Sequence, residues 1–282
     1  MRPLTLAHLA LGTTPRETIE AAAAAGFAAA GVRVCPRRPG DPYPGESLLG
    51  RPLAARELRA RAADLGIRMS NVSAYQFYPD VGWDDVAPAV DTAGELGAPI
   101  IVANGFDPDL ARFAALFSRY CAAAHEARIR VALEFLPYSA VRTLDAALSI
   151  VMQSEAPNAG VLLDALHLDR SGASPADIAR IPDSRITFAQ LCDARKWTGP
   201  RTDALLLAEA RTARLPSVST TESSAVKSTV SCSPARNSKK SGRAWIVAGA
   251  LPRPQSRKLI PIVVVRISKC STSVIRMVSK IS

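Results

Sequence analysis

The chain has 282 residues, 48% of them hydrophobic and 21% charged. That is enough apolar surface for one large α/β domain or two modest ones, and it excludes a chain that is disordered throughout. The net charge of +10 points to nucleic acid or an acidic membrane surface only until it is located: residues 1–198 carry 20 Lys and Arg against 22 Asp and Glu, and residues 199–282 carry 15 against 3. The first two-thirds is therefore a slightly acidic body.

Seven strand-like runs punctuate that body, at about 4–11, 29–34, 67–74, 99–104, 130–135, 160–164 and 186–191. Ala-rich or amphipathic stretches separate them. Thr14-Pro15-Arg16-Glu17 reads as an N-cap with proline at the first helical position, and Gly26 ends that helix. Residues 51–65 close on Gly66, 84–96 close on Gly97, 107–128 fill a fourth helix and 143–154 a fifth. Ser174-Pro175-Ala176-Asp177 opens a short sixth by the same cap-then-proline rule. Such βα units fit a (β/α)8 barrel or an open doubly wound sheet. The barrel is preferred because polar residues end nearly every strand, as when all βα loops share one mouth. Neither Gly-x-Gly-x-x-Gly after the first strand nor Gly-x-x-x-x-Gly-Lys-Ser/Thr occurs, so dinucleotide and P-loop sites are not expected.

Past about Leu215 the texture changes, and from Ser223 to Ser282 there is no acidic residue. The expected division is a barrel over 1–212 and a basic Ser/Lys/Arg-rich tail over 213–282, poorly ordered and read out of frame from between about Arg211 and Ser223. Within that tail Ile262-Val263-Val264-Val265 is the piece able to fill an open barrel seam. Five scattered cysteines, Cys35, Cys121, Cys192, Cys232 and Cys270, form no Cys-x-x-Cys pair, so free thiols are expected. The N-terminus carries no charged region followed by an apolar segment and cleavage site, and no apolar run approaches the roughly 20 residues of a membrane span. A cytoplasmic protein is expected.

Three apolar runs deliver an oxygen ligand at their C-terminal ends: Glu134 after Arg130-Val131-Ala132-Leu133, Asp164 after Gly160-Val161-Leu162-Leu163, and Gln190 after Ile186-Thr187-Phe188-Ala189. In a barrel these ends converge, and two carboxylates with an amide oxygen suit a hard divalent cation. Each carboxylate taken singly has a plainer reading, as the cap of the next helix. His167, one of three histidines, lies three residues after Asp164, close enough to relay protons at the same mouth or to coordinate metal. His8, in the first strand-like run, reads equally well as a rim residue or a satisfied core histidine. Arg33 follows Val32 in a buried-looking run, and a buried guanidinium needs an anionic partner, from protein or ligand. Asn104, Arg142, Asp193 and Lys196 are further mouth candidates, and Tyr75, Gln76, Phe77 and Tyr78 form an amphipathic wall after the third strand.

Ala7-His8-Leu9, Val131-Ala132-Leu133-Glu134-Phe135, Leu163-Asp164-Ala165-Leu166-His167 and Gln190-Leu191-Cys192-Asp193-Ala194, in this order and spacing, resemble the xylose-isomerase-like TIM barrels over about residues 1–212. That family includes sugar-phosphate isomerases and epimerases, related dehydratases and endonuclease-IV-type nucleases. The resemblance implies that Glu134, Asp164 and Gln190 hold a divalent metal (Mg, Mn, Co or Zn). It also implies that His167 serves in substrate binding or acid/base work; His8, Arg33, Arg142 and Asp193, from their positions at the mouth, are the residues expected to bind substrate. Gln rather than His on the seventh strand is closer to the 3-dehydroshikimate-dehydratase-like branch. The departure is the fourth ligand, a Glu on strand eight roughly 45–55 residues after Gln190 by the spacing of earlier units; that window holds Arg236, Asn237, Lys239 and Lys240 and no acid.

The expected activity is therefore a metal-dependent isomerase, epimerase or lyase working by proton transfer beside a polarised carbonyl. Its partner would be a small polyol or keto substrate, with no specific nucleic acid and no membrane, and the chain would form a homo-oligomer. A barrel made defective by the missing ligand is the alternative. A nuclease is the weaker one, since such sites are rich in histidine and the basic tail supplies only non-specific phosphate affinity.

Overall fold

A computed structural model of the chain describes residues 5–191, 197–212, 251–253, 256–260 and 262–264. Seven parallel strands follow in chain order: β1 (Thr5–Ala7), β2 (Ala29–Arg33), β3 (Arg68–Ser73), β4 (Ile100–Asn104), β5 (Arg130–Glu134), β6 (Ala159–Asp164) and β7 (Ile186–Leu191). Each pairs with the next, and the sheet curls. Beyond them, β8 (Leu251–Arg253) and β9 (Ser256–Ile260) form an antiparallel pair apart from the sheet. The last strand, β10 (Ile262–Val264), lies parallel between β7 and β1 and closes the barrel. The segment expected to fill the seam thus occupies the eighth position. No helix follows it among the described residues, and Val263 stands in register with Gln190.

The strands are apolar runs because both of their faces are covered. Val131 and Leu133 of β5, and Val161 and Leu163 of β6, pack in the layer beneath the helices. Val102, Ala132, Leu162 and Phe188, the alternate residues, form a second cluster inside the barrel. With a side-chain period of two, the next inward positions are Asn104, Glu134, Asp164 and Gln190. Alternation therefore turns four polar residues toward the barrel axis at the ends of four successive strands.

The helices are α1 (Pro15–Ala24), α2 (Pro52–Asp64), α3 (Trp83–Leu96), α4 (Leu110–Glu126), α5 (Leu144–Gln153), α6 (Ala165–Arg170) and α7 (Asp203–Thr212). The expected cap at α1 is a full capping box: Glu17 N–H donates to Thr14 Oγ1 at 3.2 Å, and Thr14 N–H donates to Glu17 Oε2 at 3.0 Å. Such a cap stabilises by about 1 kcal/mol. Asp109 and Thr143 cap α4 and α5 in the simpler way. On α4, Phe113 and Tyr120 meet Phe77 edge-on, at ring separations of 5.5 and 5.4 Å, so Phe77 belongs to the core.

Two expectations are corrected. The first strand is three residues long and gives way to a 3-10 turn, His8–Ala10, in which the N–H groups of Leu11 and Gly12 donate to the His8 carbonyl. The sixth helix starts directly after β6, because Asp164 ends the strand and caps the helix. At Ser174 the cap does form, with Ser174 N–H and Oγ donating to Asp177 Oδ2 at 2.7 and 2.9 Å. Only a 3-10 turn, Asp177–Arg180, follows it. Pro182 holds Ile181 in the extended region and stops the helix there. Among the described residues no helix is long and apolar enough to cross a membrane.

Candidate functional site

The inward strand ends open on a cavity of about 350 Å³. Glu134, His167, Gln190, Asn104, His8 and Arg33 line it, and Leu207, Ala210 and Arg211 of α7 form another wall. Ala210 packs into the same apolar cluster as Ala7, Val102 and Leu162 inside the barrel, which sets α7 across the mouth.

Glu134 is 8% exposed, Asp164 0% and His167 1%. Asn104 stands in register with Glu134, and its Nδ2 donates to Glu134 Oε2 at 2.7 Å. The other Glu134 oxygen, Oε1, is 3.8 Å from His167 Nε2. Asp164 Oδ1 accepts from the backbone N–H groups of Leu166 at 2.8 Å and His167 at 3.2 Å. This is the helix cap of the plainer reading, and it has a consequence for the site: the single turn it starts carries His167 back over the strand ends. The Tyr138 ring, from the loop after β5, meets the His167 ring edge-on at 5.8 Å.

Glu134, Asp164 and His167 each offer a ligand atom, all within 4.8 Å of one another. Gln190, in register with Asp164, adds a buried Oε1 with no hydrogen-bond partner among the described residues. An acceptor left so costs about 1–3 kcal/mol. Two buried carboxylates this close repel unless positive charge lies between them. Two carboxylates, an imidazole and an undonated amide oxygen are a donor set that fits a divalent cation.

The other expected residues divide. His8 is 8% exposed and lines the cavity from the turn after β1. Arg33, at the end of β2, lines it too; its Nη1 donates to the Ala74 carbonyl at 2.7 Å, while its buried Nε has no partner among the described residues. Burial, and then the charge of Arg37, pushes its guanidinium down to about 10. Gln76 and Tyr78 line the cavity; Tyr75 and Phe77 do not. Arg142 is not brought to the site: it is exposed and pairs with Asp203 at the start of α7, Nη1 to Oδ2 at 3.0 Å. Its position before α5 turns it outward to that partner. Asp193 and Lys196 lie outside the described residues. Tyr138, Arg37 and the three α7 residues went unnoticed in the sequence. Tyr138 and Arg37 sit in βα loops, where a search for polar and aromatic side chains would find them; no local signal places α7 over the mouth.

A parallel barrel with a potential metal-ligand cluster at the C-terminal ends of its strands defines a TIM barrel of the kind that carries its chemistry in the βα loops. The sequence matches the family described as xylose isomerase-like TIM barrel over residues 19–213, and the chain belongs to that family. Among curated proteins no sequence matches significantly. Solved structures of the same fold include a xylose isomerase-like TIM barrel/4-hydroxyphenylpyruvate dioxygenase fusion protein, 23% identical with a TM-score of 0.58. The match covers 71% of this chain and only 32% of that one. The IolI protein with a bound zinc atom is 16% identical over 70% of this chain and 74% of its own, with a TM-score of 0.57. The probable 3-DHS dehydratase AsbF from Bacillus anthracis is 14% identical over 68% of this chain and 73% of its own, with a TM-score of 0.55. D-psicose 3-epimerase structures match as well. At these identities the likeness is one of fold.

Proposed function

We propose that the chain is a divalent-metal-dependent enzyme that moves a proton beside the carbonyl of a small hydroxylated compound, as a lyase or as an isomerase or epimerase. The observation that carries this reading is the buried cluster of Glu134, Asp164 and His167, two of whose members, Glu134 and His167, line a cavity of about 350 Å³. Glu134, Asp164 and the Gln190 amide oxygen would hold Mg, Mn, Co or Zn, and the cation, when bound, supplies Lewis acidity toward a carbonyl or hydroxyl oxygen. Asn104 fixes one Glu134 oxygen and leaves the other toward His167. His167 Nε2 is the group suited to accept and return a proton near neutral pH. Leu207, Ala210 and Arg211 of α7 line the same cavity, so this helix would cover part of the ligand there. Glutamine on β7 resembles the dehydratase branch, and the dehydratase and epimerase neighbours support both arms of the reading. The free buried thiols Cys35 and Cys121 accord with a cytoplasmic setting, and a small polyol or keto compound is the expected partner.

A second reading, a barrel defective in catalysis, rests on one observation: Val263 occupies the register position beside Gln190 where the eighth strand should bring a carboxylate. Binding of Mn²⁺ to the full chain separates the two. The wild type should take up one ion, and Glu134→Ala should lose at least about a hundredfold in affinity. Full affinity in that variant would sink the ligand assignment, and no uptake by the wild type would leave the defective barrel.

A further inference from the structure

A divalent cation would balance the charge of Glu134 and Asp164, the two carboxylates of the cluster. The remaining charge of the cavity is positive. Arg33, Arg37 and Arg211 line it, and Glu134 is the one carboxylate that does so among the described residues. Elsewhere around the barrel several arginines find acids, such as Arg38 with Asp80 at 2.7 Å, Arg112 with Asp107 at 2.6 Å and Arg170 with Glu209 at 2.6 Å, and the partly buried Arg130 and Arg185 are bonded to backbone carbonyls. The three cavity arginines have no ion pair among the described residues. Arg33 is the most constrained of them. One nitrogen is spent on the Ala74 carbonyl, its own carbonyl accepts from Tyr43 Oη at 2.6 Å, and its Nε is buried without an acceptor. A guanidinium presents a flat fork of N–H groups that matches an oxyanion, and neutral hydroxyls would leave that charge uncompensated.

We propose that the ligand of this cavity is an anion: a small hydroxylated compound bearing a carboxylate or a phosphate monoester, whose oxyanion group is held by Arg33 and Arg37. The inference rests on the reading of the site given above, and it assigns the two ends of the ligand. The acid group lies against the β2 side, and the carbonyl or hydroxyl end lies toward Glu134, Asp164 and His167. Arg211 approaches from α7, so the helix across the mouth adds to the same charge. The cavity volume of about 350 Å³ restricts the ligand to a small molecule.

The test titrates the full chain with three probes of one carbon skeleton, D-glucitol, D-gluconate and D-glucitol 6-phosphate, by calorimetry with and without Mn²⁺. One or both anions should bind at least about tenfold more tightly than glucitol, and Arg33→Gln should cut that preference to less than about threefold. Arg37→Gln, at an exposed position, should lower it partway and keeps the test decisive if Arg33→Gln fails to fold. Mn²⁺ affinity should stay within about twofold of wild type in both variants, which a general disturbance of the barrel would not allow. A preference for gluconate identifies a carboxylate, and one for glucitol 6-phosphate a phosphate. Equal binding of the three probes, no binding of any at about 10 mM, or an anion preference unchanged in both variants overturns the proposal. Loss of Mn²⁺ uptake by the wild type, with the anion preference intact in the metal-free titration, would instead overturn the metal-enzyme reading and leave this one standing.

Discussion

Asn104 and Glu134, 30 residues apart in the chain, face each other at the ends of β4 and β5 and share a hydrogen bond of 2.7 Å. The amide donor takes one carboxylate oxygen and so sets the direction of the other. Outer partners of this kind typically govern metal affinity by about 10–100-fold. Asn104→Ala should therefore weaken Mn²⁺ binding by about tenfold or more while the chain stays folded, as read by equilibrium dialysis beside a circular dichroism melt. An affinity within about twofold of wild type would mean that Asn104 does not orient a ligand.

Asp164 has two duties that substitution can separate. It caps α6 through Leu166 and His167, and it stands in the cluster with Glu134. Asparagine caps a helix as well as aspartate does, whereas alanine does not. Asp164→Asn should keep stability within about 1 kcal/mol and lose metal affinity; Asp164→Ala should lose both, with a stability cost of about 1–2 kcal/mol. Urea unfolding measured beside Mn²⁺ titration checks the pair, and equal metal affinity in Asp164→Asn and wild type would remove Asp164 from the ligand set.

The link between α6 and α7 is a buried ion pair. Arg170 Nε and Nη2 donate to Glu209 at 2.7 and 2.6 Å, with the Arg170 side chain 5% exposed and Glu209 15%. The Trp197 ring lies 5.5 Å from the same guanidinium. Removing one partner of such a pair leaves a buried charge, so Glu209→Ala should destabilise by about 2–3 kcal/mol, moderated by Asp169 on the other side of Arg170. Because α7 walls the cavity, the variant should also admit water, seen as faster amide exchange in α7 and in the turn at His167. Unchanged exchange there would show that α7 does not depend on this contact.

Asp107, 4% exposed, accepts two hydrogen bonds of 2.6 Å from Arg112, and that contact holds its carboxyl below the ordinary value of 3.8. A carboxylate lowered by folding adds stability that is present above its ordinary value and is lost as the pH falls through the lower native one. Arg112 is half-exposed, so solvent screening limits the gain to about 1 kcal/mol. Asp107→Asn should lower stability by that amount at about pH 7, with the gap to wild type closing as the pH falls below the ordinary value of 3.8 and through the lower native one. A gap that persists undiminished in acid would assign it to packing.

The convergence of Glu134, Asp164 and Gln190 was legible because each ends an apolar run, and parallel strands in a barrel end on one face. His167 was legible by its distance from Asp164, although the helix that carries it was not: the rule that separates strand from helix by a loop fails where one aspartate closes the first and caps the second. Arg142 misled because a cationic residue in a βα loop reads the same whether it faces the cavity or a carboxylate on another helix. Its partner, Asp203, is 61 residues away.

Pattern along the chain determined the repeating βα units, the alternation that sets inward residues apart from outward ones, and the apolar segment at Ile262–Val264 that fills the eighth position. These follow from local periodicity, which the backbone imposes whatever lies around it. Only the tertiary structure decided that α7 crosses the mouth, that Asn104 serves Glu134, and that Arg33 finds no acid while Arg142 does. Those outcomes depend on distances between residues far apart in the chain, and charge in a sequence carries no direction until the fold supplies its neighbours.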